Sequence, residues 1–340
     1  MPTSLLDQGL ILRGPFEIAI DITNKCNYRC LHCYNASGEN NTEGNELSDS
    51  EFLDLVDDIC PMKPNNVCFC GGEPTLRLNL LCESAKRLRQ SGIKSVSMVT
   101  NGSYIDDRVA HELYHSGISR VQVSLDGNEQ SCSILRCNEK AYKNAKNALI
   151  SFGKYNFDDI NVAFCPTSFN IDELEDVCKT CIDAKVHTLR VQPLMHIGRA
   201  TKNVDTIMPT GIQYINLIKK INQLNLTYFN RILITWGDPL DHIFRYRSLY
   251  HELSTYVTIK ADGSIAPSPY LPISVGNVRK HRLSEYWRKG LPRVWGIDIV
   301  QQISNEILSI YDMAYTDSSS PKPWYDQDIS IDIIDDEVLQ

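Results

Sequence analysis

The sequence lacks three features that define large classes of proteins. No apolar run reaches the roughly 18 residues that cross a bilayer, and the first residues do not form a secretory signal. Basic residues are not in excess either, because 34 Lys and Arg stand against 42 Asp and Glu, a net charge of −8. These absences predict a cytoplasmic protein whose partners include neither a membrane nor a nucleic acid.

Cysteine is also missing, but only from one part of the chain. All 12 cysteines lie between Cys26 and Cys181, and residues 182–340 contain none. A secreted scaffold held by disulfides would be much smaller than 340 residues, so reduced thiols are expected here. Metal or cluster binding is therefore the first explanation for the cysteines.

The negative charge is concentrated in residues 312–340, which hold eight acids and one base. Within this acidic tail Ile329, Ile331 and Ile333 alternate with polar residues, as in a half-buried strand. We expect this strand to cover an open edge of the sheet, because natural proteins pair or cover such edges. The alternative is a solvated tail.

Short β-branched segments alternate with amphipathic helical segments over the first two-thirds of the chain, a pattern typical of βα units and a parallel sheet. Six strands are predicted at residues 16–23, 66–70, 95–100, 120–126, 161–165 and 188–193, and a seventh at 231–236. We predict the α/β class, with a partial (β/α)6 TIM-like barrel over residues 1–240. A small α+β extension over 241–311 and the tail over 312–340 complete the predicted domains.

Three cysteines, Cys26, Cys30 and Cys33, follow the first predicted strand in one short loop. Three thiolates can bind three irons of a cubane and leave the fourth iron open to a chelating small molecule. Structural zinc with His32 as fourth ligand is the alternative, but His32 adjoins Cys33 and reaches the same tetrahedral ion with difficulty.

Further motifs stand at the ends of the next strands: Gly71-Gly72-Glu73-Pro74, Thr100-Asn101-Gly102 and Ser124-Leu125-Asp126-Gly127. Together with the cysteine triplet, the sequence resembles the radical S-adenosylmethionine (SAM) superfamily, and most closely its SPASM branch. The resemblance covers residues 14–200 well and continues weakly to about residue 290. It implies one [4Fe–4S] cluster on Cys26, Cys30 and Cys33, with SAM chelating the open iron. It also implies cleavage of SAM to a 5′-deoxyadenosyl radical and an electron donor of the flavodoxin or ferredoxin type.

The resemblance also implies SAM contacts, which we assign to Gly71, Gly72, Glu73, Asn101, Ser124, Asp126, Arg136 and Gln192. Glycine lets backbone groups approach the methionine part of SAM, and Ser124 and Asp126 could bind the ribose hydroxyls. Arg136 is the one residue that matches a further family motif, and its guanidinium could bind the SAM carboxylate. Ordinary turn residues or satisfied strand ends are the alternatives.

Two residues are candidates for catalysis. Cys165 ends the fifth predicted strand and could donate hydrogen to a substrate radical, although core packing is the alternative. Asp238 ends the seventh strand and could act as a base or cap the chain there. His196 and Arg199, in the sixth loop, would either reach the site or lie on the surface.

The chain departs from the SPASM branch at Ser268, where the family places a cluster-binding cysteine. Because residues 182–340 hold no cysteine, a thiolate-bound auxiliary cluster is excluded there. The predicted function is an enzyme that abstracts hydrogen from a ribosomally made peptide, with epimerisation or ring formation as the outcome. The alternatives are a radical dehydrogenase or rearrangement enzyme acting on a carbohydrate or other small metabolite, and a non-catalytic iron–sulfur or zinc protein.

Overall fold

A computed structural model of the chain describes residues 12–39, 45–248, 254–310, 312–313 and 329–336. Its twelve strands are β1 (Glu17–Thr23), β2 (Asn66–Gly71), β3 (Ser95–Thr100), β4 (Arg120–Ser124), β5 (Asp159–Phe164), β6 (Thr188–Val191), β7 (Leu233–Trp236), β8 (Tyr256–Ile259), β9 (Ser264–Ala266), β10 (Ile273–Ser274), β11 (Gly276–Asn277) and β12 (Ile329–Ser330). Ten of them form one sheet in the order β11-β9-β8-β1-β2-β3-β4-β5-β6-β7.

Helices connect the strands and cover one face of the sheet. They are α1 (Asp49–Ile59), α2 (Leu78–Gln90), α3 (Asp107–Ser116), α4 (Glu129–Arg136), α5 (Ala141–Phe152), α6 (Leu174–Asp183), α7 (Val204–Ile207), α8 (Gly211–Thr227), α9 (Pro239–Ser248), α10 (Leu283–Lys289) and α11 (Asp298–Glu306). None of the helices in the described ranges is long and apolar enough to cross a membrane.

The eight strands from β8 through β1 to β7 are all parallel. Burial alternates along β3, β4 and β5: in β3, Val96 and Met98 are buried under the helices, whereas Ser95, Ser97 and Val99 are only partly buried on the other face. This period of two separates a packed outer face from an inner face that lines a cavity. The predicted α/β class with a parallel, TIM-like core is confirmed.

Local sequence signals explain where several helices begin and end. Ser48 and Glu51 form a capping box at the start of α1, and each accepts a hydrogen bond from the other's backbone. Gly117 ends α3 with a φ of 102°, a conformation that glycine adopts without strain.

The structure differs from the sequence-based prediction at α4 and α9, which were not predicted. α4 is only eight residues long, at the lower end of helix lengths in globular proteins, and its buried face consists of Ser131, Cys132, Leu135 and Arg136 rather than of apolar residues alone. The side chain of Asn128 caps the helix by accepting from the backbone of Gln130 and Ser131. The helix matters for the site, because Arg136 is its last residue and is buried.

The C-terminal strand was predicted correctly, but its partner was not. β12 pairs in parallel with β10 as a separate two-stranded sheet instead of covering an edge of the large sheet. Ile333 beyond it is buried, and Asp332 accepts a hydrogen bond of 2.8 Å from the Tyr286 hydroxyl. These contacts explain the pairing, because they fix the tail against α10.

Deletion of residues 324–340 is expected to lower the free energy of unfolding by roughly 2–4 kcal/mol, since it exposes the face under Ile333 and removes the partner of Tyr286. Substrate turnover should fall, while the iron content stays unchanged. Thermal melting measures the change in stability, and iron analysis measures the cluster content. Deletion of residues 337–340 alone is the control, because it keeps β12. A native-like melt of the longer truncation would show that the tail contributes nothing.

Candidate active site

The loop after β1 brings its three cysteines to one cavity at the carboxyl ends of the parallel strands. Cys26, Cys30 and Cys33 all line this cavity, whose volume is about 580 Å³, and all three are free thiols. Burial raises the pKa of Cys30 to about 12. The thiol therefore stays neutral until a metal displaces its proton.

The glycine pair after β2 holds this cysteine loop by its backbone. Gly72 N–H donates to the Thr23 carbonyl at 2.8 Å, and Glu73 N–H donates to the Lys25 carbonyl at 2.9 Å. A Cβ atom on Gly72 would lie 2.0 Å from the Lys25 oxygen, so no larger residue fits there. Gly71, with a φ of +113°, is equally restricted by the Thr23 oxygen at 2.3 Å.

Glu73 is fully buried and joins the ends of β2 and β3. Its carboxylate accepts from the hydroxyls of Thr75 and Thr100 and from the backbone N–H of Asn101, at 2.5, 2.8 and 2.8 Å. Burial raises the pKa of Glu73, and these hydrogen bonds oppose that effect. The carboxylate thus holds Asn101, whose side-chain Nδ2 lies 3.9 Å from Cys26 Sγ.

Arg199 holds the other side of the cysteine loop, a role that the sequence analysis did not assign. Its buried guanidinium donates to the carbonyls of Cys30 and Ser37 and to the Glu39 carboxylate, at 3.1, 2.7 and 3.0 Å. Its backbone N–H also donates to the Cys33 carbonyl at 2.8 Å. The preceding Gly198 allows the contact, since a Cβ atom there would lie 2.2 Å from the Tyr34 oxygen.

Asp126 is the centre of a buried charge cluster at the end of β4. Its carboxylate lies 2.6 Å from Arg136 Nη2 and 3.0 Å from His32 Nε2, and it accepts the Cys165 N–H at 2.8 Å. Burial alone would raise the pKa of Asp126, but Arg136 and His32 outweigh that effect and hold the pKa well below its usual range. Asp126 is therefore an anion that positions the side chains of Arg136 and His32.

The residues present fit the cofactors that the sequence resemblance implies. Two buried nitrogens at the cavity, Arg136 Nε and His32 Nδ1, have no hydrogen-bond partner among the described residues, and a polar ligand would supply one. The Arg136 guanidinium also lies 4.0 Å from Cys30 Sγ, where its charge offsets that of a thiolate-bound cluster.

The other predicted site residues divide into two groups. Ser124, Gln192 and Cys165 line the cavity with the cysteine loop, and Gln192 Nε2 lies 3.4 Å from the Tyr270 hydroxyl. Asp238 is not among the described residues that line it, and its carboxylate accepts the Leu240 N–H at 2.9 Å at the start of α9. The catalytic roles of Asp238 and Cys165 and the SAM contacts all stay predictions.

Ser268 occupies the position at which the SPASM branch carries a cluster ligand. It is fully buried, and its hydroxyl accepts the Tyr270 N–H at 3.2 Å. The hydroxyl thus shapes the turn that brings Tyr270 to the cavity wall.

Comparisons with known proteins agree with this geometry. The chain is 28% identical over 299 residues to the Fe-coproporphyrin III synthase of Methanosarcina barkeri, covering 78% of this chain and 72% of that protein. It is 25% identical to the sporulation killing factor maturation protein SkfB of Bacillus subtilis, with coverages of 83% and 68%. The PqqA peptide cyclase of Bradyrhizobium diazoefficiens is 25% identical, with coverages of 66% and 58%.

Among solved structures, SuiB of Streptococcus suis bound to SAM superposes with a TM-score of 0.69 at 15% identity, covering 92% of this chain and 79% of that one. At this identity the likeness is one of fold. The family model of the radical SAM superfamily matches residues 20–181, which contain the cysteine loop, the glycine pair and Asp126. Residues 20–181 therefore form a radical SAM domain.

Proposed function

We propose that this enzyme abstracts hydrogen from carbon in a ribosomally synthesised peptide and that epimerisation or ring formation is the outcome. The main observation in support is that the cysteine loop and side chains of β6 and β8 line the same cavity. Members of the superfamily use a [4Fe–4S] cluster and SAM. When bound, these supply an electron and a 5′-deoxyadenosyl radical, chemistry that no side chain performs.

The chain's own residues would hold and shield these cofactors. Cys26, Cys30 and Cys33 would bind the cluster, and Arg136 and His32, both held by Asp126, would offer donors to SAM. Ser124 and Gln192 face the same space. A flavodoxin- or ferredoxin-type protein in the cytoplasm would deliver the electron. We assign cofactor binding and radical formation to residues 1–240. The extension over 241–311 would form the far wall of the cavity.

Two observations support a peptide as substrate. Two of the relatives are named for peptide or precursor maturation, the killing factor maturation protein and the PqqA peptide cyclase. The cavity also extends past the cysteine loop to Tyr256 and Thr258 of β8 and to Tyr270, so it has room beside the cofactors for an extended chain.

The test is anaerobic reconstitution with iron, sulfide and SAM, followed by reaction with short peptides encoded beside this gene. Formation of 5′-deoxyadenosine that depends on the peptide supports the proposal. Epimerisation keeps the peptide mass and introduces solvent deuterium, whereas ring formation removes two hydrogen atoms. Peptides that leave 5′-deoxyadenosine formation unchanged and emerge unmodified would contradict it.

The second candidate is a radical dehydrogenase or rearrangement enzyme acting on a small metabolite. The relative that favours it is the Fe-coproporphyrin III synthase, which is 28% identical and matches 78% of this chain. Arg190 also lines the cavity as an exposed guanidinium, so an anionic small molecule could bind there. Stimulation of SAM cleavage by carboxylate-bearing metabolites, but not by peptides, would favour this candidate.

Replacing Arg136 with alanine should weaken SAM binding by about 1.5–3 kcal/mol, or roughly tenfold to 150-fold, because a charge-assisted hydrogen bond to the SAM carboxylate is lost. Calorimetric titration of the reconstituted protein measures the dissociation constant. Arg136→Lys is the matched control, since it keeps a positive charge beside Asp126 but loses the planar fork. An unchanged dissociation constant in Arg136→Ala would reject this role.

A further inference from the structure

Cys68 and Cys70 form a pair of thiols that the proposed reaction does not yet use. They are two residues apart on β2, so their side chains leave the same face of the sheet. The two Sγ atoms are 3.4 Å apart, and both residues line the cavity that contains the cysteine loop.

Packing does not explain this pair. Cys132, Cys178 and Cys181 are fully buried under helices, as expected of cysteines that act as small hydrophobic residues. Cys68 and Cys70 are instead only partly buried, on the inner face of the sheet. Their sulfurs therefore border the space in which a substrate would react.

The pair also differs from Cys165, the thiol that sequence reasoning singled out. Cys165 is fixed by Asp126 and lies within electrostatic reach of Arg136 and Cys30, among the predicted SAM contacts. Cys70 has other charged neighbours, Asp21 and Arg190. The two thiols thus border different parts of the cavity.

The contact between the two sulfurs moves the pKa values of the two thiols apart. The hydrogen bond to Cys70 lowers the pKa of Cys68, and the same bond together with burial raises the pKa of Cys70. Cys70 therefore keeps its S–H, and Cys68 is the more readily ionised partner.

We propose that Cys68 and Cys70 are a redox-active dithiol in which Cys70 donates a hydrogen atom to a carbon radical in the cavity. The inference deepens the proposed function, on which it rests, by naming the hydrogen donor. A thiol is suited to this step because its hydrogen exchanges with solvent and its sulfur tolerates an unpaired electron.

Each step balances in atoms and electrons. Transfer breaks the Cys70 S–H bond, forms a C–H bond and leaves a sulfur radical on Cys70. Cys68 releases its proton to water, and its thiolate adds to that sulfur. The resulting radical anion gives one electron to an oxidised carrier of the flavodoxin or ferredoxin class, which leaves a neutral disulfide. A small dithiol restores both thiols with two electrons and two protons.

A disulfide between these residues requires β2 to bend. Residues two apart on a strand have Cα atoms about 6.6 Å apart, near the upper limit of roughly 6.8 Å for bridged cysteines, and their parallel side chains must converge to bring the Cβ atoms within about 4.5 Å. Starting from sulfurs 3.4 Å apart, the bond would be strained and therefore readily reduced, as a redox-active pair requires.

The first test needs no turnover. The reconstituted protein is equilibrated anaerobically in glutathione redox buffers, alkylated and mapped by mass spectrometry. We expect a disulfide between Cys68 and Cys70 to form and to be reversed by dithiothreitol. Cys60→Ser is the control, since Cys60 is outside the cavity and its Sγ contacts the Arg87 carbonyl. Independent alkylation of both thiols across all buffers would overturn the proposal.

The second test runs the reaction in deuterium oxide with a peptide that the wild type modifies, and it measures deuterium in the peptide product. The wild type and Cys60→Ser should place one deuterium at the modified carbon. Cys70→Ser should lose most of that deuterium, and Cys68→Ser should keep it in a first turnover but form no disulfide. A wild-type product without deuterium would overturn the donor role of Cys70. Circular dichroism verifies that each variant is folded.

The results distinguish failure of the Cys68–Cys70 dithiol from failure of the proposed radical function. Absence of 5′-deoxyadenosine in the wild type would contradict the proposed radical chemistry and leave the redox titration as the independent test of the dithiol. Full deuteration in Cys70→Ser, or its loss in Cys165→Ser alone, would overturn the assignment to Cys70 while leaving the proposed function intact.

Discussion

Replacement of Cys30 by alanine is expected to give a folded protein that holds no [4Fe–4S] cluster and cleaves no SAM. The cluster would lose one of only three protein ligands, and two thiolates in a single loop do not retain a cubane. The fold should survive because the loop is held through backbone groups, by Gly72 on one side and Arg199 on the other. Iron and sulfide analysis, with absorbance near the cluster bands, measures the loss.

The reconstituted wild type should contain about four irons per chain. Cys26→Ala and Cys33→Ala should behave like Cys30→Ala, because all three thiols line the same cavity. Cys82→Ala is the matched control, since Cys82 lies on α2 and outside the cavity. Seven or eight irons in the wild type would contradict the one-cluster argument, and a normal cluster in Cys30→Ala would remove this residue from the ligand set.

Sequence reasoning predicted the parallel sheet well because its strands have strong local signals. β1, β3 and β6 are short runs rich in β-branched residues and are followed by turn residues, and each motif that was singled out stands where a strand ends. In a parallel sheet these ends meet at one edge, so motifs distant in sequence were expected to form one site. The family match over residues 20–181 covers this same region.

The contacts of the site were harder to predict, because they depend on how loops from different strands meet. Asp126 and Arg136 were both assigned to SAM, yet the structure places them 2.6 Å apart in an ion pair. Nothing in the spacing of these residues indicates the pair, because α4, which brings Arg136 back to the end of β4, was not predicted. Gly72 was assigned to an approach to SAM, whereas its close neighbour is the Lys25 carbonyl.

The pairing of β8 with β1 was also not predictable from the local sequence pattern. β8 was predicted in a separate extension, and it hydrogen-bonds in parallel to β1, with Ile18 beside Val257. Hydrophobic alternation identifies a strand but does not identify its neighbour. The prediction of a domain boundary at residue 240 therefore stays a prediction.

The contacts of Arg199 also depend on how distant loops meet, and they lead to a prediction for stability and iron retention. Arg199→Ala should destabilise the protein by about 3–5 kcal/mol, because removing a buried cation leaves its acceptors unpaired. Those acceptors, including the carbonyls of Cys30 and Ser37, belong to the cysteine loop. The loop should then lose its fixed geometry, and iron should leave the reconstituted protein faster when a chelator is added.

The variant Arg199→Lys tests the contribution of positive charge separately from that of the guanidinium geometry. A lysine ammonium can pair with Glu39, but it lacks the planar fork that reaches two carbonyls and a carboxylate together. We expect it to recover part of the stability and little of the iron retention. Lys202→Ala is the surface control, because Lys202 is 4.0 Å from the same carboxylate and is more exposed. If Arg199→Ala unfolds in denaturant as the wild type does and retains iron equally long, Arg199 does not hold the loop. If it is destabilised while iron release is unchanged, the guanidinium supports the fold alone and the cluster geometry is set by Gly72 and Glu73.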